Sequence, residues 1–283
     1  MSVAVGIFAH QEERRIAACL ASLPLDRANT LFHVLVNGST DRTAERAREA
    51  AESRANVLIH DIAQGGKSRT WNHFIHDLLT GEESAVVLLD GDAQIVAGSV
   101  DALVDALAQH PEATAAAGLP ANGRLMQVYR EELKDDGGVF GDLYALSGRF
   151  TAAVREGGYR VPDDLIGDDG LVGAWAHTAL GRDAEWDRGR ILYCEDAGFL
   201  CEPVSLWKPV TWAIHYRRMI NYSVRYYQNR IVSDIMTREG PGGLPRRLSD
   251  LYPAWLPRWS PRPLPTGWFD RKALARIRKA AKL

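Results

Sequence analysis

Ala85-Val86-Val87-Leu88-Leu89-Asp90-Gly91-Asp92 joins an unbroken apolar run to two carboxylates two residues apart. Five consecutive apolar residues suit a strand covered on both faces, the usual situation in a parallel sheet. The same alternation extends to either side. Val3 to Ala9 is a nearly continuous apolar run, and Glu12 to Leu23 then places Ile16, Leu20 and Leu23 on one helical face. Leu31 to Val36 predicts a strand, with a helix beginning near the good N-cap Asp41; Val57 to His60 predicts another, with a helix from Ser68 to Leu79. After Asp92, the spacing of Val100, Leu103, Val104 and Leu107 predicts one more helix. Four strand-helix units in about 110 residues argue for an α/β fold with a parallel, doubly wound sheet, whose ligands bind at the carboxyl ends of the strands.

Beyond residue 118 the periodicity weakens. Gly123 to Gly167, rich in glycine and acidic pairs, predicts mixed sheet and loops; a helix is expected from Asp169 to Leu180, a strand from Ile191 to Cys194, and helix in the later part of Thr211 to Met236. Seven of the 13 prolines lie between Pro241 and Pro265, which excludes regular helix there, whereas Asp270 to Ala281 could form a short basic helix.

With 283 residues, 46% hydrophobic and 25% charged, the chain has globular composition and can bury a sizeable core. Cys19, Cys194 and Cys201 are too scattered for a disulfide framework or a zinc site, so a reducing, cytoplasmic setting is expected. No uncharged run approaches the roughly 18 residues of a membrane span. The net charge of -2 conceals a division: residues 240–283 carry ten Lys or Arg against Asp250 and Asp270, so a +8 tail follows a -10 body. Two units are expected, a body over 1–239, with a ligand-binding half at 1–118 and a catalytic half at 119–239, and a basic, Pro/Trp-rich extension over 240–283.

At the strand ends, Asp90 and Asp92 are hard oxygen ligands able to hold Mg2+ or Mn2+ against a diphosphate, or else a simple turn. Asn37, before Gly38, offers a donor and an acceptor suited to a base or ribose edge. Lys67 and Arg69 beside a helix start could neutralise a diphosphate, or be solvated charges. The segment is not a Walker loop, because Asp61 stands where its first glycine belongs, and no G-x-G-x-x-G follows the first strand. In Asp163-Asp164-Leu165-Ile166-Gly167-Asp168-Asp169, two adjacent carboxylates at a helix start face different directions, so one can cap the helix while the other serves as base, for which Asp169 is the candidate. His215 is a metal ligand or a packed histidine.

The ordered set FAHQEERRIAACLASL, VLVNGSTDRTAERA, GGKSRTWNHFI and VVLLDGDAQIVAGSVDALV resembles the family-2 glycosyltransferases of the GT-A fold, and LIGDDGLVGAWA and HYRR extend the likeness more loosely. This resemblance implies a GT-A type, Rossmann-like, mostly parallel sheet flanked by helices, and transfer of one sugar, with inversion, from a nucleotide-diphosphate sugar to a hydroxyl acceptor in glycan, glycolipid or polysaccharide biosynthesis. It implies Asp169 as catalytic base and Asp92, Asp90 and His215 around Mn2+ or Mg2+. The donor would be bound by Ala9, Glu12, Asn37, Lys67, Arg69, Asp90, Gly91, Arg217 and Arg218, with a UDP-sugar as the default. Val36 and Asn37 stand where the family usually has two aspartates, Asp168 replaces its glutamate, and no tryptophan follows Arg218, which favours a single-sugar transferase over a processive synthase. The alternative is a catalytically inactive module that binds nucleotide or glycan. The tail, with its bases among Tyr252, Trp255, Trp259, Trp268 and Phe269, either seats the protein on the inner face of a membrane bearing a lipid-linked acceptor or packs on the acidic body. Nucleic acid is not an expected partner, since the body would repel it.

Overall fold

The computed structural model describes residues 2–123, 125–200 and 209–281. Cys201 lies outside them. An eight-stranded sheet runs in the order β3-β2-β1-β4-β7-β6-β8-β5. Strands β1 (Ser2–Ala9), β2 (Thr30–Asn37), β3 (Val57–Ile62) and β4 (Glu83–Asp90) are mutually parallel. They are separated by α1 (Ile16–Ala21), α2 (Thr43–Ala51) and α3 (Lys67–His73), the last prolonged by a wide turn over Phe74–Leu78. Strand β1 is flanked by β2 and β4 and buried from Val3 to Ala9, which is why its apolar run is unbroken. Helix α4 (Ser99–Gln109) completes the four strand-helix units that the sequence predicts, and the short β5 (Gln94–Ile95), which the sequence does not predict, precedes it.

The second half departs from that regularity. Strand β6 (Ala115–Pro120) is followed by α5 (Met126–Asp136), β7 (Tyr144–Ser147) and α6 (Gly148–Glu156), where the sequence suggests sheet and loops. Helix α5 leaves no periodic trace, because Leu133 is its one buried residue among those whose burial is described. Helix α6 carries a local signal in Ser147, whose Oγ accepts the Phe150 N–H at 3.3 Å. Strand β7 runs antiparallel to both neighbours, β4 and β6. Helix α7 (Asp168–Thr178) precedes β8 (Ile191–Leu200), which is parallel to β6 and runs ten residues, well past the expected end at Cys194. Helix α8 (Pro209–Arg238) then spans 30 residues.

The proline-rich segment forms 3-10 turns and one short helix, α9 (Tyr252–Trp255), before α10 (Thr266–Ala280). Leu248, Tyr252, Trp259, Ala273, Leu274 and Ile277 are buried in the same apolar cluster as Val224, Tyr227 and Ile231 of α8. The Trp259 ring lies 5.0 Å from Tyr227 and 6.2 Å from Tyr252. Most of the tail's aromatic surface thus faces the body, with Trp268, at 43% exposure, left outside. Among the described residues no helix is long and apolar enough to cross a membrane.

Candidate active site

Strand β4 ends at Asp90, and the chain turns at once beneath the end of β1. The Gly91 N–H donates to the Phe8 carbonyl at 2.8 Å. A Cβ on Gly91 would sit 2.9 Å from that of Ala9, so the pair Ala9 and Gly91 sets how closely the turn can approach. The mouth of β4 gains a third carboxylate from β7. Leu88 pairs with Tyr144 in the antiparallel ladder, so two steps on along β4 and two steps back along β7 place Asp90 beside Asp142. Oxygens of Asp90, Asp92 and Asp142 all lie within 4.8 Å of one another. Three partly exposed carboxylates at this spacing suit a hard divalent cation such as Mn2+ or Mg2+.

Cations of the chain already border this cluster. Lys67 Nζ, at the start of α3, is 2.5 Å from Asp90 Oδ1. Arg15 Nη1 is 3.2 Å from Asp92 Oδ2, and the same guanidinium forks onto Glu12 at 2.6 and 2.8 Å. Burial pushes the Glu12 carboxyl up to about 7, with Asp92 raising it further and Arg15 opposing. Burial likewise pushes Asp90 up to about 7, against Lys67, with Asp142 and Asp92 adding to the rise. For Lys67 burial works downward, but Asp168, Asp90 and Asp169 outweigh it and hold the ammonium well above its usual value. Burial and neighbouring carboxylates raise both Glu12 and Asp90, so a proton or a cation bound here would relieve the repulsion.

Helix α7 brings its first turn to the same place. A Cβ on Gly141 would lie 2.7 Å from Lys67 Nζ, 3.4 Å from Asp90 Oδ2 and 3.9 Å from the Asp169 Cβ, so one bare stretch of backbone touches all three. Asp168 is 5% exposed, and its burial raises its carboxyl despite Lys67. Asp169 Oδ1 accepts the Gly170 N–H at 2.9 Å and lies 3.3 Å from Arg225 Nη2 of α8. The loop before α7 is tied to α8 by buried Gln228, whose Oε1 accepts the Ile166 N–H and whose Nε2 donates to the Asp164 carbonyl and the Tyr252 hydroxyl. The remaining two acids of that cluster hold the extension. Asp164 accepts the N–H groups of Leu248 and Ser249 at 2.7 and 2.9 Å, and Asp163 lies 3.3 Å from Arg246.

The other expected residues are placed as follows. Asn37 is 4% exposed, and its Oδ1 accepts the Gly66 N–H at 2.8 Å, so the side chain latches two strand-end turns together. Gly38, at φ +62, packs against Gly65 in the same junction. Arg69 points away from the carboxylates: Nη1 donates to the Gly65 carbonyl at 2.6 Å and Nε is 3.8 Å from Asp163. It lines a cavity of about 750 Å³ with Arg160 and Arg246, behind α3 and with none of the site aspartates in its wall. His215, Arg217 and Arg218 are exposed on the first turns of α8. His215 precedes Arg225 by ten residues, about 15 Å along the axis, and is not in the carboxylate cluster. Asp142, Arg15, Gly141 and Arg225 are the site residues that the sequence does not single out.

A family described as glycosyl transferase family 2 matches residues 4–159. Among solved structures, the mannosyltransferase PcManGT from Pyrobaculum calidifontis, determined with GDP-Man and Mn2+, aligns at a TM-score of 0.63 and 17% identity over 99% of this chain and 74% of its own. S. aureus TarS 1-349 in complex with UDP-GlcNAc aligns at 0.55 and 15%, over 99% and 82%. No curated protein matches the sequence.

Proposed function

Since the chain belongs to glycosyl transferase family 2, we propose that it is a divalent-cation-dependent, inverting transferase that moves one sugar from a nucleotide-diphosphate sugar to a hydroxyl acceptor. The observation that carries this is the meeting of Asp90, Lys67 and Asp169 at Gly141, beside the cluster of Asp90, Asp92 and Asp142. A cation held by those three carboxylates would supply positive charge for the leaving diphosphate. Lys67, protonated and wedged beside Asp90, adds charge of the same sign at the same place. Asp169 takes the proton from the acceptor hydroxyl as its oxygen bonds to the anomeric carbon, and the bond to the diphosphate breaks with its electron pair on the leaving group. Glu12 and Arg15 fix Asp92 from the β1 side. His215, Arg217 and Arg218, on an exposed part of α8, could reach the donor only from the rim.

The test is release of nucleotide diphosphate from GDP- and UDP-sugars across an acceptor panel, with Mn2+ or Mg2+ and with chelator. Turnover should need the cation, and Asp92→Ala should lower it by about 10³-fold. Full activity in chelator or in that variant would refute the proposal, while tight nucleotide binding without turnover would identify a binding module.

A further inference from the structure

The guanidinium of Arg225 occupies a socket made by two glycines. A Cβ on Gly167 would sit 2.4 Å from its Nε, and a Cβ on Gly170 would sit 2.6 Å from its Nη2. Gly167, at φ +90, is in a conformation that suits glycine in any case. Gly170 is different. It lies in the first turns of α7, where alanine would favour the helix, so its bareness is explained by the arginine rather than by the backbone. The arginine and the Gly170 N–H converge on one oxygen, Oδ1 of Asp169, at 3.3 and 2.9 Å. The other charged groups facing Asp169 are Asp168 on its own helix and Lys67 from α3, and Lys67 is engaged with Asp90 at 2.5 Å. Gln228, one turn beyond Arg225, locks the same loop to the same helix, so the socket and its occupant move as one piece.

We propose that Arg225 is the positioning residue for Asp169: by holding Oδ1 it fixes the rotation of the carboxylate and leaves Oδ2 as the oxygen that receives the acceptor's proton. The inference rests on Asp169 being the base.

The test compares Arg225→Met, Arg225→Lys and Gly170→Ala in the full chain. Arg225→Met should lower kcat about tenfold to a hundredfold and leave the KM for donor within about twofold. Arg225→Lys should recover part of kcat. Gly170→Ala should reproduce the fall in kcat with an unchanged or raised thermal midpoint, because the intruding methyl meets only the far end of a flexible side chain. The double variant should be no worse than Arg225→Met, as expected of two changes acting through one contact. A rise in donor KM with kcat preserved would overturn the inference in favour of a diphosphate contact, as would full turnover in Gly170→Ala. A second readout separates this from the base assignment. In a crystal structure of Arg225→Met the Asp169 carboxylate should rotate away from the orientation that holds Oδ1 against the Gly170 N–H, whether or not the protein turns over. An unmoved carboxylate overturns the role of Arg225, whereas unchanged turnover in Asp169→Asn overturns the base instead.

Discussion

Asp90 and Asp169 lie against the same glycine, Gly141, but the chain brings them there by different means. Asp90 ends a strand that is paired on both sides, and its neighbour Asp92 follows from a turn held by one backbone hydrogen bond to β1. Asp169 depends on a helix start, on Arg225 and Gln228 of α8, and through Asp164 on backbone N–H groups of Leu248 and Ser249, 84 and 85 residues further on. On the proposed function, the diphosphate side rests on a strand end held by sheet pairing on both flanks, whereas the acceptor side rests on contacts with α8 and the extension. A division of labour follows: the sheet half should govern donor and cation, and the α7–α8 half should govern proton transfer.

The strongest way to break this division is a pair of isosteric changes. Asp169→Asn should lower transfer by about 10³-fold while donor affinity with Mn2+ is unchanged in calorimetry. Asp142→Asn should lower turnover by roughly 10-fold to 100-fold and raise the cation concentration needed, since one of three oxygen donors loses its charge. Loss of donor binding in Asp169→Asn, or a normal cation requirement in Asp142→Asn, would show that the two sides are not separate.

Next in size is the extension. If residues 240–281 are part of the acceptor side and not an appendage, Trp259→Ala should cost about 3 kcal/mol, read from the urea midpoint, because the ring is 6% exposed and packs on Tyr227, Tyr252 and Trp255. A loss below about 0.5 kcal/mol would mean that the tail is held loosely.

The sheet half has its own sensitive point, remote from the carboxylates. His33 on β2 is 4% exposed, stacked on His60 with ring centroids 5.2 Å apart, and pressed against Phe74. Burial, reinforced by the neighbouring His60 and opposed by Glu83, lowers its imidazole from 6.5 to about 4. A base lowered by folding stays neutral in the native state while the unfolded chain takes a proton. Stability should therefore be full above pH 6.5 and fall by about 2 to 3 kcal/mol as the pH drops toward 4. His33→Phe, which cannot titrate, should flatten that part of the pH dependence of the thermal midpoint; an identical slope in both proteins would assign the loss to other groups.

What the sequence reveals follows the same line. The parallel half is legible because β1, β2 and β4 are largely buried on both faces and a helix follows each strand within about ten residues, so periodicity and strand-end position single out Asp90, Asp92 and Lys67 as candidates without knowledge of the fold. Asp142 is not legible, since its place depends on the register between Leu88 and Tyr144, and register is a pairing property that no local pattern records. Arg225 is missed for a related reason. The basic cluster Arg217-Arg218 draws attention as a motif, but a 30-residue helix presents bases at many heights, and only contact with α7 selects one. Asp163 and Asp164 look like site acids beside Asp168 and Asp169, yet they serve as anchors for the extension. The opposite charges of body and tail leave membrane seating and packing on the body both open, whereas the buried residues show the tail packed on the body through apolar side chains.

The smallest predicted effect makes that last point testable. Arg246 reaches Asp163 at 3.3 Å, but its side chain is 84% exposed, and Asp163 also has Arg69 at 3.8 Å and the Asn72 amide at 3.5 Å. An exposed pair whose acid keeps other partners adds little, because solvent screens the attraction and ordering a long side chain offsets part of it. Arg246→Ala should cost less than about 0.5 kcal/mol, and 0.5 M salt should change the variant and the wild type alike. A loss above about 1.5 kcal/mol that salt abolishes would mean that charge, rather than Trp259 and its neighbours, holds the extension to the acceptor side. In that case raising the salt concentration would also lower turnover, because Asp164 and Gln228 tie the loop of Asp169 to the same segment.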